Sequence, residues 1–229
     1  MDVILIPGFW LTASSWDAVT PALEAAGHRP IALTLPGLES GDADRSGVTL
    51  ADHIDAVAFA IDAAAQPVAL VGHSGGGPIA YAAAAQRPGA VDRFVFVDTF
   101  PLPTGGVIND ELPAENGEIP LPPKDFWPEN EVAGFDDASW ATFAATAVPE
   151  PEAVAAGEFA LANESARTIP ATVIATSYPE AAIREYEGAP FMSELFAMRS
   201  VTFVDLPTGH WPQFTEPEKL AELIAAALS

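Results

Sequence analysis

The pentapeptide Gly72-His73-Ser74-Gly75-Gly76 holds a serine between glycines two residues before and two residues after it. An apolar run at 68–71 precedes it and a helix-forming run at 79–84 follows, so the segment reads as strand, sharp turn and helix. This is the Gly-x-Ser-x-Gly elbow, in which a strained turn thrusts the serine hydroxyl clear of the sheet. Glycine suits the flanking positions because a Cβ there would strike the neighbouring strand or the helix start. Ser74 would then stand at a helix N-terminus, where free N–H groups and the positive end of the dipole favour a developing oxyanion. Two rival readings attach to the same residues. One is a glycine-rich turn without chemistry. The other is a dinucleotide fingerprint in Gly75-x-Gly77-x-x-Ala80, against which stand the stiffening Pro78 and glycines that begin three residues past Gly72.

A serine hydroxyl is unreactive at neutral pH and needs an adjacent base. Of the four histidines, His210 follows the last strand-like run, at 201–206, and so lies at the same edge of a parallel sheet as the elbow. His73 adjoins the serine but points elsewhere, which leaves it a supporting role. His28 precedes the second strand, at the opposite edge, and His53 sits on a helix; both read as structural or surface residues.

The elements that must position these groups alternate. Strands are expected at 3–6, 30–35, 68–71 and 94–97, each an unbroken apolar run, with helices between them. The first helix starts near Ser14 or Ser15 and buries Trp16, Val19, Leu23 and Ala26; the second is capped by Thr49 with Asp52 and buries Ile54, Val57, Ala58 and Ile61. Unbroken apolar strands mean a parallel sheet covered on both faces. The alternation stops at Phe100 and returns near 171, with strands at 171–175 and 201–206, a helical region at 179–198 and a closing helix at 217–228. Six parallel strands result. The intervening 101–168 is rich in proline, carries no strand signal and has helical patterns at 137–147 and 150–162, so it is expected to be a small helical cap inserted into a core made of 1–100 and 169–229. Trp10 with Phe126, Trp127, Trp140 and Phe143 are expected to line an apolar substrate pocket beneath it, each with packing between cap and core as the plainer alternative.

Composition narrows the partners. A formal charge of −23, from 32 acidic against 9 basic residues, argues against nucleic acid or an anionic membrane and fits a neutral small-molecule substrate. The acidic surplus itself reads as a solubility device. With no cysteine and histidines scattered without ligand spacing, no metal site is expected. No apolar run approaches the roughly 20 residues of a membrane helix, and Met1-Asp2 leads straight into a strand without a secretory signal, so a cytoplasmic location is expected.

The elbow, the glycine-bearing loop after the first strand and the Gly209-His210 pair occur in an order that resembles the α/β-hydrolase superfamily over essentially the whole chain, within its small esterase, lactonase and hydroxynitrile-lyase branch. The resemblance implies an α/β-hydrolase fold, Ser74 as nucleophile, His210 as base, and the backbone N–H groups of Phe9 and Gly75 as the oxyanion hole. Many members have His-Gly where Pro7-Gly8 stands here, which removes a side-chain brace but not the Phe9 donor. Most members also place the triad acid after the strand that is 171–175 here, yet that segment continues Thr176-Ser177-Tyr178-Pro179-Glu180 with no aspartate. Asp98 ends the strand after the elbow helix, where haloalkane dehalogenases and some lactonases carry their acid, so the acid is assigned to Asp98, with Glu180 and then Asp205 behind it. The expected reaction is hydrolysis of a carboxylic ester or lactone through an acyl-enzyme, without a cofactor. Hydroxynitrile lyase and C–C bond hydrolase use the same triad, and a non-catalytic ligand-binding protein on this fold is the alternative of a different class.

Overall fold

A computed structural model describes residues 1–229. Its strands are β1 (Asp2–Ile6), β2 (Arg29–Ala32), β3 (Val68–His73), β4 (Val91–Val97), β5 (Glu118–Ile119), β6 (Glu150–Pro151), β7 (Ala171–Ala175) and β8 (Val201–Asp205). Six of them pair in parallel in the order β2-β1-β3-β4-β7-β8, while β5 and β6 form a separate antiparallel ribbon. Successive side chains of a strand point to opposite faces. Val3, Leu5, Val71 and Val95 therefore enter one core layer, and Ile4, Ile6, Leu70, Phe94 and Phe96 enter the other. Both layers are apolar, which is why the central strands carry unbroken apolar runs at Val3–Ile6, Val68–Val71 and Phe94–Val97.

The helices are α1 (Thr20–Ala25), α2 (Leu50–Ala63), α3 (Gly76–Gln86), α4 (Asp137–Ala144), α5 (Glu152–Ala155), α6 (Glu180–Arg184), α7 (Ser193–Ala197), α8 (Pro212–Thr215) and α9 (Pro217–Ala227). α1 and α9 bury Leu23, Leu220 and Ile224 against the Val3 face; α2 and α3 bury Val57, Ile61, Ile79 and Tyr81 against the Ile4 face. The cap of α2 is the one expected, with the Thr49 N–H donating to the Asp52 carboxylate at 2.8 Å.

Several expected elements come out shorter. The first helix splits into a 3-10 turn at Ala13–Trp16 and α1, because Pro21 starts a new helix at its first turn. In 101–168 the expected absence of strands is corrected by the β5–β6 ribbon, whose pairs Glu118 with Pro151 and Ile119 with Glu150 are too few to leave a periodic pattern. The helical patterns there shrink to α4 and α5, since Pro149 and Pro151 remove backbone donors and Gly157 ends the second. The region 179–198 breaks at Gly188, with φ of 94°, and Pro190 into α6, a 3-10 turn and α7.

Candidate active site

Three polar side chains converge from the C-terminal ends of three strands. Ser74 follows β3, Asp98 follows β4, and His210 sits in the loop after β8. Nε2 of His210 lies 2.8 Å from Ser74 Oγ, and Nδ1 lies 2.7 Å from Asp98 Oδ2. Ser74 and Asp98 both have φ of 49°, the left-handed region that non-glycine residues enter only when surrounding structure holds them there. The elbow leaves no room beside the serine. A Cβ on Gly72 would lie 2.6 Å from Gly77 Cα, and one on Gly75 would lie 2.7 Å from the Phe9 ring.

The segment after β7 supplies donors, not an acid. Asp98 Oδ1 accepts the N–H groups of Thr176 and Ser177 at 3.0 Å each, and Oδ2 accepts the Ser177 hydroxyl at 2.6 Å. The other two carboxylates are engaged with α6: the Glu180 N–H donates to Asp205 Oδ1 at 2.8 Å, and the Glu180 carboxylate accepts from Arg184 Nε at 2.7 Å. Neither bonds His210.

The histidine loop is held from two sides. His73 is buried and donates from Nε2 to the His210 carbonyl at 2.6 Å. The His210 N–H donates to the Glu131 carbonyl at 2.7 Å and the Gly209 N–H to the Ala133 carbonyl at 3.0 Å. The bracing by 131–133 left no mark in the sequence, because a carbonyl acceptor comes with every residue type. His53 is buried, with Nε2 bonded to the Pro36 carbonyl at 2.8 Å, and His28 is half-buried at the far edge; neither approaches Ser74.

A family model described as the alpha/beta hydrolase family matches residues 3–223. The chain belongs to the alpha/beta hydrolase family. Among solved structures it is similar to an extracellular alpha/beta-hydrolase from a Paenibacillus species, at 24% identity and a TM-score of 0.80 over 99% of this chain and 98% of that one. It also resembles a pyrethroid hydrolase from Sphingobium faniae JZ-2, at 26% identity and a TM-score of 0.70 over 99% and 96% of the two chains. A methylesterase, MES16 from Arabidopsis, shares the fold at 15% identity and a TM-score of 0.73 over 100% and 98%. No curated protein matches it in sequence. No helix of this hydrolase is long and apolar enough to cross a membrane.

Burial pulls the His210 imidazole down, but the hydrogen bond and charge of Asp98, with the Glu131 charge adding, outweigh it and leave the ring more basic than usual. For Asp98, burial pushes upward, and the bonds from His210, Ser177 and the Thr176 N–H overcome it and hold the carboxyl low. His73 goes the other way: burial and the neighbouring His210 keep it neutral, so it serves as a neutral donor.

Above Ser74 the hydrolase has a cavity of about 380 Å³. Trp10 and Trp127 line it as expected, together with Phe9, Phe100, Leu102 and Ile108. Phe126, Trp140 and Phe143 do not. Phe126 is 50% exposed on its 3-10 turn, and Trp140 and Phe143 lie on the inward face of α4, buried against Phe135 and Trp211. The pocket walls at 100–112 went unread because irregular backbone carries no periodicity to say which side chains turn inward. Glu131 also lines the cavity, where burial raises its carboxyl. The N–H groups of Phe9 and Gly75 donate to no protein acceptor. Lys124 pairs with Asp137 and Lys219 lies on α9, so neither lysine lines the cavity.

Proposed function

We propose that this hydrolase cleaves a carboxylic ester, lactones included, of a small, largely apolar and neutral molecule through an acyl-enzyme. The observation that carries this reading is the pair of short hydrogen bonds running from Asp98 through His210 to Ser74, which opens on an apolar cavity beside two unpaired backbone donors. In it, His210 takes the Ser74 proton as attack begins, Phe9 and Gly75 N–H groups hold the oxyanion, and Asp98 keeps the ring in the tautomer that accepts at Nε2. His210 then activates water to release the acyl group. Residues 101–168 act as a cap that contributes Leu102, Ile108 and Trp127 to the wall over a core of 1–100 and 169–229. Relatives named as methylesterase and polyneuridine aldehyde esterase support ester cleavage. The absence of a lysine in the cavity argues against the lyase branch, which adds one beside its triad.

A serine-directed fluorophosphonate tests the reading. A stoichiometric adduct on Ser74, located by peptide mass spectrometry, with turnover of p-nitrophenyl esters or of a lactone panel, is the expected result. A folded chain that takes no adduct would be a ligand-binding protein instead, and a thermal shift with a nicotinamide dinucleotide alone would revive the fingerprint reading.

A further inference from the structure

Trp10 follows the oxyanion donor Phe9 and is held at φ of 65°. The β5–β6 ribbon and the segment leading into β6 clamp this residue from both sides. The Val148 N–H donates to the Trp10 carbonyl at 3.0 Å, and the Trp10 indole N–H donates to the Ile119 carbonyl at 2.9 Å. Ile119 is the register partner of Glu150, whose side chain has no exposed surface and points into the core. There Oε1 stops 3.9 Å from Nδ1 of His53 on α2, and no hydrogen bond reaches Nδ1 or either carboxyl oxygen.

The protonation of this pair follows from its chemistry. Nε2 of His53 lies 2.8 Å from the Pro36 carbonyl and must therefore carry a hydrogen. In the neutral ring that leaves Nδ1 bare. A bare nitrogen and a carboxylate are both acceptors, so the two can face each other at 3.9 Å in the interior only if one of them carries a proton, and the burial of both favours the neutral carboxylic acid. We infer that Glu150 is held as the neutral acid facing the neutral His53 ring, and that this key between ribbon and α2 positions the Phe9–Trp10 oxyanion segment; the catalytic half of the inference rests on the ester-hydrolase reading.

The surroundings agree. Burial pushes the Glu150 carboxyl up to about 8, against the pull of the Trp10 backbone N–H, which closes no hydrogen bond to it, and of the Arg45 charge. Burial also lowers His53, against its bond to Pro36 and the charges of Asp52 and Glu39. The one cation facing the pair, Arg45, is engaged with Glu118 of β5 at 3.2 Å. Once Glu150 ionises, two acceptors oppose each other beneath the ribbon, and the clamp on Trp10 loses its seat.

Glu150→Gln keeps a donor for Nδ1 but cannot titrate, whereas Glu150→Ala removes the key. Infrared spectra near neutral pH should show the carbonyl stretch of a protonated, buried carboxylic acid in the wild type and lose it in Glu150→Gln. The folded wild type keeps a proton that an unfolded glutamate releases near 4.5, so its stability relative to Glu150→Gln should fall from there to about pH 8 and level off above. In ester hydrolysis, Glu150→Ala should lower kcat by about tenfold or more with KM little changed, as expected when an oxyanion donor is misplaced. Glu150→Gln should keep the rate and lose the alkaline fall expected of the wild type near pH 8. A wild-type spectrum without the acid band, or one that Glu150→Gln leaves unaltered, overturns the neutral Glu150. An alkaline fall that survives in Glu150→Gln, or an unchanged kcat in a folded Glu150→Ala, overturns the positioning role. If the wild type turns over no ester, the band and the stability series still decide the protonation of Glu150, and it is the hydrolase reading that falls.

Discussion

The sheet edge that carries Ser74, Asp98 and His210 and the aromatic cluster around α4 meet at two consecutive residues, His210 and Trp211, and are held by opposite kinds of force. At the edge, directional bonds of 2.8 and 2.7 Å link side chains on backbone forced to φ of 49° at two of the three positions. In the cluster, Phe135, Trp140, Phe143 and Trp211 pack with ring centroids 5.2 to 6.3 Å apart and no polar atom sets their orientation. Trp127 joins the two, standing edge-on to Trp10 at 5.7 Å and to Trp211 at 5.4 Å. Directional constraints admit few residue types. Packing admits many, provided that volume is filled.

Substitutions at the edge should therefore remove activity and spare stability, and those in the cluster should do the reverse. The sharpest break is Ser74→Ala, expected to cost on the order of a millionfold in kcat with the melting temperature retained; turnover within tenfold of wild type would move the nucleophile elsewhere. Next comes Asp98→Asn, expected to lose about 10⁴ in kcat, against a Glu180→Gln control that changes little because that carboxylate serves Arg184. The reverse outcome in this matched pair would sink the assignment of the acid.

On the cluster side, Trp140→Ala should cost about 3–5 kcal/mol in denaturant unfolding while each molecule still folded keeps its kcat. Trp127→Ala, on the cavity wall and only half-buried, should instead raise KM with a smaller stability loss. A Trp140→Ala variant of normal stability and altered substrate preference would erase the distinction between the two regions. Protonating His210 removes the base, and its raised basicity puts the acid limb of activity above the ordinary 6.5. Below that limb the rate should fall about tenfold per pH unit. A flat profile from pH 5 to 8 with chemistry rate-limiting would argue against a histidine base. The smallest effect belongs to Phe126→Ser, which should stay within about 0.5 kcal/mol and leave kinetics unchanged, since half of that ring already faces water.

The sequence by itself determined the elbow, the alternation of strands and helices and the edge at which Ser74, Asp98 and His210 emerge, because period, glycine spacing and chain order are local or topological properties. It also carried the hydrolase resemblance, which the family match bears out. What the tertiary structure decided was which groups meet. Asp98 reaches His210 because Thr176 and Ser177 turn their N–H groups onto its carboxylate, while Glu180 is drawn off to Arg184. Trp127 faces the cavity and Trp140 the core for a reason no window of sequence contains: an aromatic side chain is equally at home in either, and only the packing of 101–168 against the sheet edge selects between them. The Glu150–His53 pair belongs to the same category, two unremarkable residues 97 positions apart until folding removes water from between them.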